Sequence, residues 1–269
     1  MKLGLTLPSF QRDPEVPIGV ARAADAAGVD GVFAYDHLFR FARDGSRRPA
    51  LEGPSLLGAV AVETTSVALG TLVARATMRP PATLGVTLDT LARIAPGRLL
   101  VGIGSGDSES KEENESFGLG FGSMPDRVMA LGTAVLEIRD RGYPVWVGGT
   151  AAVVRTLAAR EADGWNRWGG PPDRFARQAA AVLADATRSP FTLSWGGLVV
   201  LGATDADARA KHERLGAGPD VITGGPERVA DALRAYGDAG AEWVIAGPID
   251  SADPENADIL GELVAPLLH

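Results

Sequence analysis

Cysteine is absent from this 269-residue sequence, and that absence excludes several kinds of chemistry at once. Without thiols the chain cannot form disulfides, iron–sulfur clusters or thiolate zinc sites. Histidine is scarce as well, with three residues: His37, His212 and His269. We expect His212, in a charged segment, and His269, at the last position, to be solvated. No second histidine is placed to share a metal ion with His37, so we expect no metal site.

Excess positive charge and long apolar runs are also missing. The 26 Lys and Arg residues face 34 Asp and Glu residues, for a formal net charge of −8. Nonspecific nucleic-acid binding needs a basic face, so we expect no nucleic-acid partner. No run approaches the roughly 18 apolar residues of a membrane span. The opening MKLGLTLPSF is too short for the core and cleavage site of a signal peptide, so we expect a cytoplasmic protein.

Residues 97–107, GRLLVGIGSGD, form the most informative segment that is present. Its strand is apolar on both faces, which is typical of a parallel sheet covered by helices. Gly102, Gly104 and Gly106 allow close approach of another backbone or a flat ligand. Asp107 follows at the carboxyl end of the strand, where parallel sheets place their chemistry.

Strand-like and helix-period segments alternate along the whole chain. The eight predicted strands are residues 2–8, 31–36, 67–74, 99–105, 144–148, 164–168, 191–201 and 243–246. The predicted helices are residues 16–27, 55–65, 81–94, 125–141, 151–160, 172–187, 205–215, 226–239 and 259–268, with loops at 37–54 and 107–115. This alternation without a linker predicts a single α/β domain over residues 1–269, a closed (β/α)8 TIM barrel. A doubly wound open sheet is the alternative.

Two candidate catalytic side chains follow predicted strands. His37 ends the second strand beside Asp36, a carboxylate able to orient its ring. Asp107 ends the fourth strand, so both would lie at the barrel mouth. The alternatives are that His37 only caps a strand and that Asp107 only caps the next turn. We expect the acidic run that follows to be a solvated face; it contains Glu109, Glu112, Glu113 and Glu115.

Two further features fit a cofactor pocket. Gly148, Gly149 and Thr150 join the fifth strand to a helix, where exposed backbone N–H groups favour a phosphate. A plain glycine turn is the alternative, and neither a P-loop nor a Rossmann fingerprint occurs. Trp165 and Trp168 lie in the sixth strand, and one of them could line an aromatic pocket. Ordinary packing between helix and sheet is the alternative for both.

Together these segments resemble the luciferase-like flavin and deazaflavin oxidoreductase family. The matching segments, in chain order, are Asp36-His37, LGTLV (69–73), RPPATLGVTLDTLARIAPGRLLVGIGSGD (79–107), PVWVGGT (144–150), EADGWN (161–166) and GGPERVADALRAYGDAGAEWVI (224–245). No single segment is decisive; their order and spacing carry the resemblance.

The resemblance implies a barrel that binds the deazaflavin coenzyme F420, or FMN, at the carboxyl ends of its strands, usually as a homodimer. It also implies a non-proline cis peptide at Leu72–Val73 that supports the coenzyme ring. His37 and Asp107 would act on substrate and ring, although relatives tend to carry glutamate at the second position. The implied cofactor contacts are Asp36, Leu72, Val73, Gly104, Ser105, Gly106, Gly148, Gly149, Thr150 and Trp168.

One departure from the family concerns the pocket roof. Many relatives insert a long segment before the fifth strand, whereas here residues 142–143 alone join the predicted helix to Pro144. The loop 39–53 is therefore the candidate roof, unless the pocket is simply more open. Its arginines would pair with an anionic substrate, with the oligoglutamate tail of F420 or with solvent alone; they are Arg40, Arg43, Arg47 and Arg48.

The function that follows is hydride transfer between F420 and a small organic substrate. An FMN-dependent monooxygenase supplied by a separate flavin reductase is the first alternative. A catalytically silent flavin-binding barrel is the second. A hydrolase on the same fold is disfavoured, because the chain offers no second nearby histidine, cysteine or metal cluster.

Overall fold

The computed structural model describes residues 1–42, 44–108 and 110–268, and its centre is a ring of parallel strands. The strands in chain order are β1 (Lys2–Thr6), β2 (Gly31–Ala34), β3 (Phe39–Phe41), β4 (Arg47–Pro49), β5 (Ala68–Arg75), β6 (Leu99–Gly104), β7 (Val145–Gly148), β8 (Gly164–Trp168), β9 (Thr192–Leu201), β10 (Ile222–Gly224) and β11 (Trp243–Pro248). Eight of them form the ring in the order β1-β2-β5-β6-β7-β8-β9-β11. β11 pairs with β1, so the sheet closes on itself. The predicted (β/α)8 barrel is confirmed, and the open sheet is excluded.

Helices surround the ring. They are α1 (Glu15–Ala26), α2 (Gly53–Glu63), α3 (Pro81–Ile94), α4 (Ser110–Ser116), α5 (Met124–Asp140), α6 (Ala152–Glu161), α7 (Pro172–Ala184), α8 (Asp205–Leu215), α9 (Pro226–Asp238) and α10 (Glu255–Asp258), followed by a π-helix (Ile259–Val264) and a 3-10 helix (Ala265–Leu268). Proline stands in the first turn of α2, α3, α5, α7 and α9, where its missing N–H costs no hydrogen bond. Within the described ranges no helix has the length and apolarity to span a membrane.

The core has an outer and an inner part. The outer part packs the helices against the ring and holds most of the buried aliphatic side chains. The inner part fills the barrel and consists of Phe33, Leu72, Trp146, Trp243 and Ile245. Phe33 fits because its neighbours lack side chains: a Cβ on Gly4 or Gly70 would lie 2.6 or 2.2 Å from its ring. Glycines in the strands thus make room for a large aromatic residue.

β5 carries an irregularity at the carboxyl end of the barrel. Its register against β6 shifts, since Thr71 faces Val101 while Ala74 faces Ile103. The Leu72–Val73 peptide inside this bulge is cis, as the family resemblance implied. The bulge turns the Val73 side chain toward the neighbouring strands.

Three glycines accommodate the Val73 side chain. A Cβ on Gly104 would lie 2.5 Å from Val73 Cγ2, and one on Gly148 would lie 2.6 Å from Val73 Cγ1. A Cβ on Gly102 would lie 2.4 Å from the Thr71 carbonyl oxygen. Because carbon atoms do not approach so closely, only glycine fits at these positions without movement of the bulge.

The structure differs from the sequence prediction in five places, the first of which is the unpredicted short helix α10. The predicted loop 37–54 contains the antiparallel β3–β4 hairpin, whose short arginine-bearing strands lack an apolar period. The predicted loop 107–115 contains most of α4, whose helical period is hidden within its charge. β10 is a three-residue strand that pairs with β9 outside the ring. The predicted final helix 259–268 is a π-helix followed by a 3-10 helix.

The glycine requirement beside the bulge can be tested by Gly102→Ala. The added Cβ collides with the Thr71 carbonyl, so we expect the free energy of unfolding to fall by about 1–3 kcal/mol. Urea denaturation measures this value. The matched control is Gly58→Ala in α2, where the nearest atom to the new Cβ lies 3.7 Å away. That control should stabilise the protein by about 0.5–1 kcal/mol. Equal stability of Gly102→Ala and the wild type would show that the bulge tolerates a side chain there.

Candidate active site

A cleft of about 620 Å³ lies at the carboxyl ends of β2, β5, β6, β7 and β8. Side chains from successive parallel strands converge at this end of a barrel. All twelve residues selected from the sequence line the cleft: Asp36, His37, Leu72, Val73, Gly104, Ser105, Gly106, Asp107, Gly148, Gly149, Thr150 and Trp168. The structure therefore brings the candidate site together, while the role of each residue stays a prediction.

His37 is held by two buried charged groups. Its Nδ1 lies 2.9 Å from Glu113 Oε2 and 3.1 Å from Arg75 Nη2. Arg75 Nη2 also donates to Glu113 Oε2 at 2.6 Å. The other carboxylate oxygen of Glu113 accepts the backbone N–H groups of Leu38 and Phe39. Glu113 thus binds the His37 ring and the two backbone donors that follow it.

This arrangement selects one form of the imidazole ring. The carboxylate of Glu113 can only accept, so the hydrogen bond requires a proton on His37 Nδ1. Arg75 Nη2 can only donate, and its two N–H groups have acceptors in Glu113 Oε2 at 2.6 Å and the Asp36 carbonyl oxygen at 3.2 Å. In the neutral ring Nε2 then carries a lone pair, and in the described chain it has no hydrogen-bond partner. Nε2 is the ring atom left to bind or exchange a proton in the cleft.

Asp36 does not orient His37, so that prediction is wrong. Its carboxylate accepts two hydrogen bonds from Arg79, at 2.7 and 2.9 Å, and one from the Arg75 backbone N–H at 2.8 Å. Arg79 also pairs with Glu52. Adjacent residues of an extended segment point to opposite sides, which separates Asp36 from the His37 ring.

Glu113 is the functional residue that the charge pattern concealed. The acidic run was expected to be a solvated face, and Glu112 and Glu115 are exposed, whereas Glu113 is 3% exposed. Glu109 lies outside the described residues. On α4 the buried side chains are Ser110, Glu113 and Asn114, which share one helical face by their spacing. All residues of α4 are polar, so the sequence offers no apolar period that would separate Glu113 from its exposed neighbours.

Hydrogen bonding controls the ionisation of Glu113. Burial by itself would raise the pKa of this carboxyl. The hydrogen bonds from His37, the Leu38 N–H and Arg75 outweigh burial and lower the pKa of Glu113 to about 2. Glu113 therefore stays ionised at neutral pH and compensates the buried Arg75 guanidinium.

Asp107 lies in the cleft but is also bonded to its own helix. Its Oδ1 accepts the Ser110 N–H at 3.0 Å and the Ser110 hydroxyl at 2.9 Å. These bonds are the capping interaction that was the alternative to a catalytic role. The carboxylate is exposed at the cleft, so capping and contact with a bound molecule are compatible.

The opposite end of the cleft has the features of a phosphate site. In the part of the chain that the structure describes, no side chain caps the start of α6, so its first N–H groups have no side-chain partner there. Gly149 precedes it with φ +147°, and a Cβ there would lie 2.8 Å from Val154 Cγ1. Thr150 adds an exposed hydroxyl. A helix start with free N–H groups attracts an anion.

Arg127 adds positive charge to the same cleft. Its Nη1 donates to the Gly122 carbonyl at 3.1 Å, and its guanidinium lies 4.1 Å from the centre of the Phe121 ring. Its Nε is buried and has no hydrogen-bond partner among the described residues. A buried donor of this kind calls for an acceptor. A planar ring on the glycine floor beside Val73, with its phosphate at α6 and Arg127, therefore fits the residues present.

The two tryptophans of β8 differ in environment. Trp165 is fully buried, stacks on Phe175 at 5.8 Å and donates to the Gly149 carbonyl at 2.8 Å. Its environment is ordinary core packing. Trp168 is 36% exposed and meets Tyr35 edge to face at 5.8 Å. Trp168 is thus the tryptophan placed to contact a ligand in this cleft.

The other two histidines take no part in the cleft as described. His212 Nδ1 lies 2.8 Å from the Thr223 hydroxyl on the outer side of the barrel, away from the cleft lining. His269 lies outside the described residues.

Comparison with known proteins yields a family match and several relatives. The sequence model of the family described as "luciferase-like monooxygenase" matches residues 1–131 and 129–220. An F420-dependent glucose-6-phosphate dehydrogenase of Nakamurella multipartita is 31% identical over 189 residues, which cover 61% of this chain and 55% of that protein. The enzyme of the same name from Mycobacterium avium is 25% identical over 61% of this chain and 56% of its own length. The chain thus spans about half the length of these curated relatives.

Solved structures share the fold at low sequence identity. An F420-dependent secondary alcohol dehydrogenase in complex with an F420–acetone adduct aligns with a TM-score of 0.81 at 18% identity, covering 100% of this chain and 99% of that chain. A riboflavin lyase with modified FMN and riboflavin aligns with a TM-score of 0.80 at 14% identity, covering 100% and 91%. These likenesses establish the barrel architecture.

Glu113→Gln tests the buried network. Gln cannot compensate the Arg75 charge, so we expect the free energy of unfolding at pH 7 to fall by roughly 3 kcal/mol. The effect depends on pH because folding lowers the pKa of Glu113. The stabilisation is complete above the ordinary pKa of 4.5 and is lost as the pH falls through about 2. Urea denaturation at pH 7 and at pH 3 should show a smaller difference between variant and wild type at pH 3.

The control is Glu115→Gln on the same helix. The Glu115 side chain is 56% exposed, so its removal should change stability by less than about 0.5 kcal/mol at either pH. A Glu113→Gln protein as stable as Glu115→Gln at pH 7 would contradict the assignment of a buried, compensating carboxylate.

Proposed function

The chain belongs to the luciferase-like monooxygenase family, and on that premise we propose that it is an F420-dependent oxidoreductase. It moves a hydride between the deazaflavin coenzyme and a small organic substrate. Relatives that carry the name F420-dependent glucose-6-phosphate dehydrogenase support this choice of coenzyme. The observation that carries the proposal is a histidine Nε2 presented to a glycine-floored cleft beside an uncapped helix start.

The proposed contacts for the coenzyme phosphate and for the reacting atoms lie at two different ends of the cleft. The backbone of Gly148, Gly149 and Thr150, with Arg127, holds the coenzyme phosphate at one end. The Leu72–Val73 peptide supports the ring between the ends. His37 defines the reactive end, opposite the phosphate. Ser105 and the neighbouring glycines of β6 line the face on which the ring lies.

Proton transfer falls to His37. When bound, the coenzyme supplies the carbon that accepts or donates a hydride. For oxidation of an alcohol, His37 Nε2 takes the hydroxyl proton as the substrate carbon loses its hydride. Reduction of a carbonyl reverses both transfers. Glu113 stabilises the imidazolium that forms, because its carboxylate accepts the Nδ1 proton throughout.

Asp107 provides a second polar contact for the substrate. Its Oδ1 is bonded to Ser110, which fixes the carboxylate at the cleft edge. From there the remaining oxygen accepts a hydrogen bond from a substrate hydroxyl or from the ring. Trp168 and Tyr35, which meet edge to face, add aromatic surface to the cleft.

We also propose that the enzyme acts in the cytoplasm as a homodimer. Exposed apolar side chains on neighbouring outer helices support a self-association surface: Val62 on α2, Val86 on α3, and Met129 and Leu136 on α5. Sedimentation velocity of the purified chain as a single monomeric species would overturn this assembly.

Coenzyme choice is tested by titrating the protein with oxidised F420 and, separately, with FMN. Trp168 contacts the cleft, so F420 should quench tryptophan fluorescence at lower concentration than FMN. Trp168→Phe should lose most of the quenching while ultrafiltration still detects bound F420. Trp165→Phe, whose tryptophan is buried, should keep it. Tighter binding of FMN would replace the proposed activity by that of an FMN-dependent monooxygenase.

Turnover tests the role of His37. With a panel of alcohols and carbonyl compounds that includes glucose 6-phosphate and 2-propanol, F420 absorbance reports hydride transfer. His37→Ala should lower kcat by at least about 100-fold while F420 affinity stays within a few fold. His212→Ala is the control and should keep full activity. If His37→Ala keeps its activity, the assignment of proton transfer to His37 is wrong. If the F420-bound wild type turns over no compound of the panel, a catalytically silent barrel is favoured.

A further inference from the structure

A second cavity lies next to the active-site cleft, on the other side of Tyr35. Its volume is about 700 Å³, and Tyr35 lines both spaces. The chain after β1, from Pro8 to Gln11, forms one wall, and Pro248 and Ile249 at the end of β11 form another. The β3–β4 hairpin contributes Arg40 and Arg48. The cavity therefore belongs to the same catalytic end of the barrel as the cleft.

The hairpin places two positive charges together at this cavity. Arg40 and Arg48 are directly opposite in the antiparallel register, so they share one face of the hairpin. Like charges in opposed positions destabilise a strand pair. Burial and the charge of Arg48 both lower the pKa of Arg40, which shows that the two guanidinium groups repel each other.

Neither arginine of the pair has a carboxylate within ion-pair distance in the described chain. The neighbouring Arg47 pairs with Glu112 at 3.3 Å, but neither Arg40 nor Arg48 forms an ion pair with a described residue. Arg43, the fourth arginine of the set, lies outside the described residues. Among the described cavity-lining residues the one acid is Asp44, whose Oδ1 accepts the Ser46 N–H and hydroxyl. These hydrogen bonds, and to a smaller extent the positive charge of Arg48, lower the pKa of Asp44, so Asp44 offsets part of the Arg48 charge without forming an ion pair with it.

This pattern is unusual for a chain with a net charge of −8, in which acids outnumber bases. Surface arginines in such a chain have many carboxylates available as partners. Arg40 and Arg48 line one cavity, and no described carboxylate lies within ion-pair distance of either. They therefore leave a local positive potential there.

A chain of ring contacts connects these charges to His37. The Arg40 guanidinium lies 4.5 Å from the centre of the Phe10 ring. Phe10 lies 5.6 Å from the His37 ring and 6.3 Å from Tyr35. Arg40 and His37 therefore both contact the Phe10 ring, which places the arginine cavity next to His37.

We propose that this second cavity is an anion subsite of the active site, in which Arg40 and Arg48 hold the carboxylate or phosphate group of the substrate. The substrate is then an organic anion whose alcohol or carbonyl carbon lies beyond Tyr35, beside His37. Guanidinium groups match both anions through paired N–H donors. This inference deepens the proposed function and rests on it for the reaction, although anion binding itself does not require the coenzyme.

The position of Arg40 and Arg48 favours the substrate, not the coenzyme tail, as the source of the bound anion. Their cavity adjoins the His37 end of the active-site cleft. The coenzyme phosphate is assigned to Gly149 and Thr150 at the start of α6, while Arg40 is next to Phe10 and His37 at the end of β2. The oligoglutamate tail of F420 is attached beyond that phosphate, so in this arrangement it would lead away from His37. The same anionic chemistry could still come from the tail, so the test separates the two sources.

The experiment measures binding of inorganic phosphate to the full chain by calorimetry, with and without saturating F420. Saturating F420 blocks the helix start of α6, so the remaining phosphate binding reports the second cavity. Arg40→Gln/Arg48→Gln should weaken that binding by about tenfold or more. The control Arg93→Gln/Arg160→Gln removes two exposed charges on α3 and α6 and should leave it within about twofold.

F420 affinity, followed by fluorescence quenching, distinguishes the outcomes. The proposal expects F420 affinity to be unchanged in Arg40→Gln/Arg48→Gln. A loss of F420 affinity in that variant would assign the arginines to the coenzyme tail and overturn the proposal. Equal phosphate binding in both double variants would also overturn the proposed anion subsite. In that case the proposed function would still stand if the wild type binds F420 and turns over a substrate. Phosphate binding that depends on the arginines in a chain that fails to bind F420 would uphold the subsite and remove the proposed function.

Discussion

The buried ion pair between Arg75 and Glu113 joins the barrel to its candidate active site. Arg75 ends β5 directly after the bulge, and Glu113 lies on the short helix α4 that follows β6. Each charge is costly to bury alone, so each requires the other in place. Their contact fixes α4 across the barrel mouth, and the same carboxylate binds the His37 ring and the backbone that leads into the β3–β4 hairpin. The Arg75–Glu113 ion pair therefore links the end of β5 to α4 at the edge of the site, and its carboxylate selects the tautomer of His37.

Much of the fold could be predicted from sequence because the barrel strands are largely buried on both faces and most of the long helices around them show an apolar period. The predicted bounds 81–94, 164–168 and 205–215 coincide with α3, β8 and α8. Elements whose formation depends on distant partners were missed. The β3–β4 hairpin has three-residue strands without an apolar period, and α4 owes its buried face to an arginine on another strand. Local patterns carry no information about such contacts.

The same distinction between local patterns and distant contacts applies to the candidate site. The residues around the cleft could be selected because strand ends converge at one rim, whatever the loops do. The partner of His37 could not be selected, since Glu113 lies 76 positions away and the adjacent Asp36 offered a simpler carboxylate. Asp36 instead pairs with Arg79 at the start of α3. Which carboxylate meets which base is decided by the direction of the side chains in three dimensions.

The central claim is that Glu113 holds the proton of the neutral His37 ring on Nδ1 and leaves Nε2 open to the cleft. Nitrogen-15 NMR of the imidazole groups tests it directly, and with three histidines in the chain the His37 signals can be assigned by substituting the other two. The account predicts a protonated Nδ1 and an unprotonated Nε2 for neutral His37. A proton on Nε2 with a bare Nδ1 would contradict it.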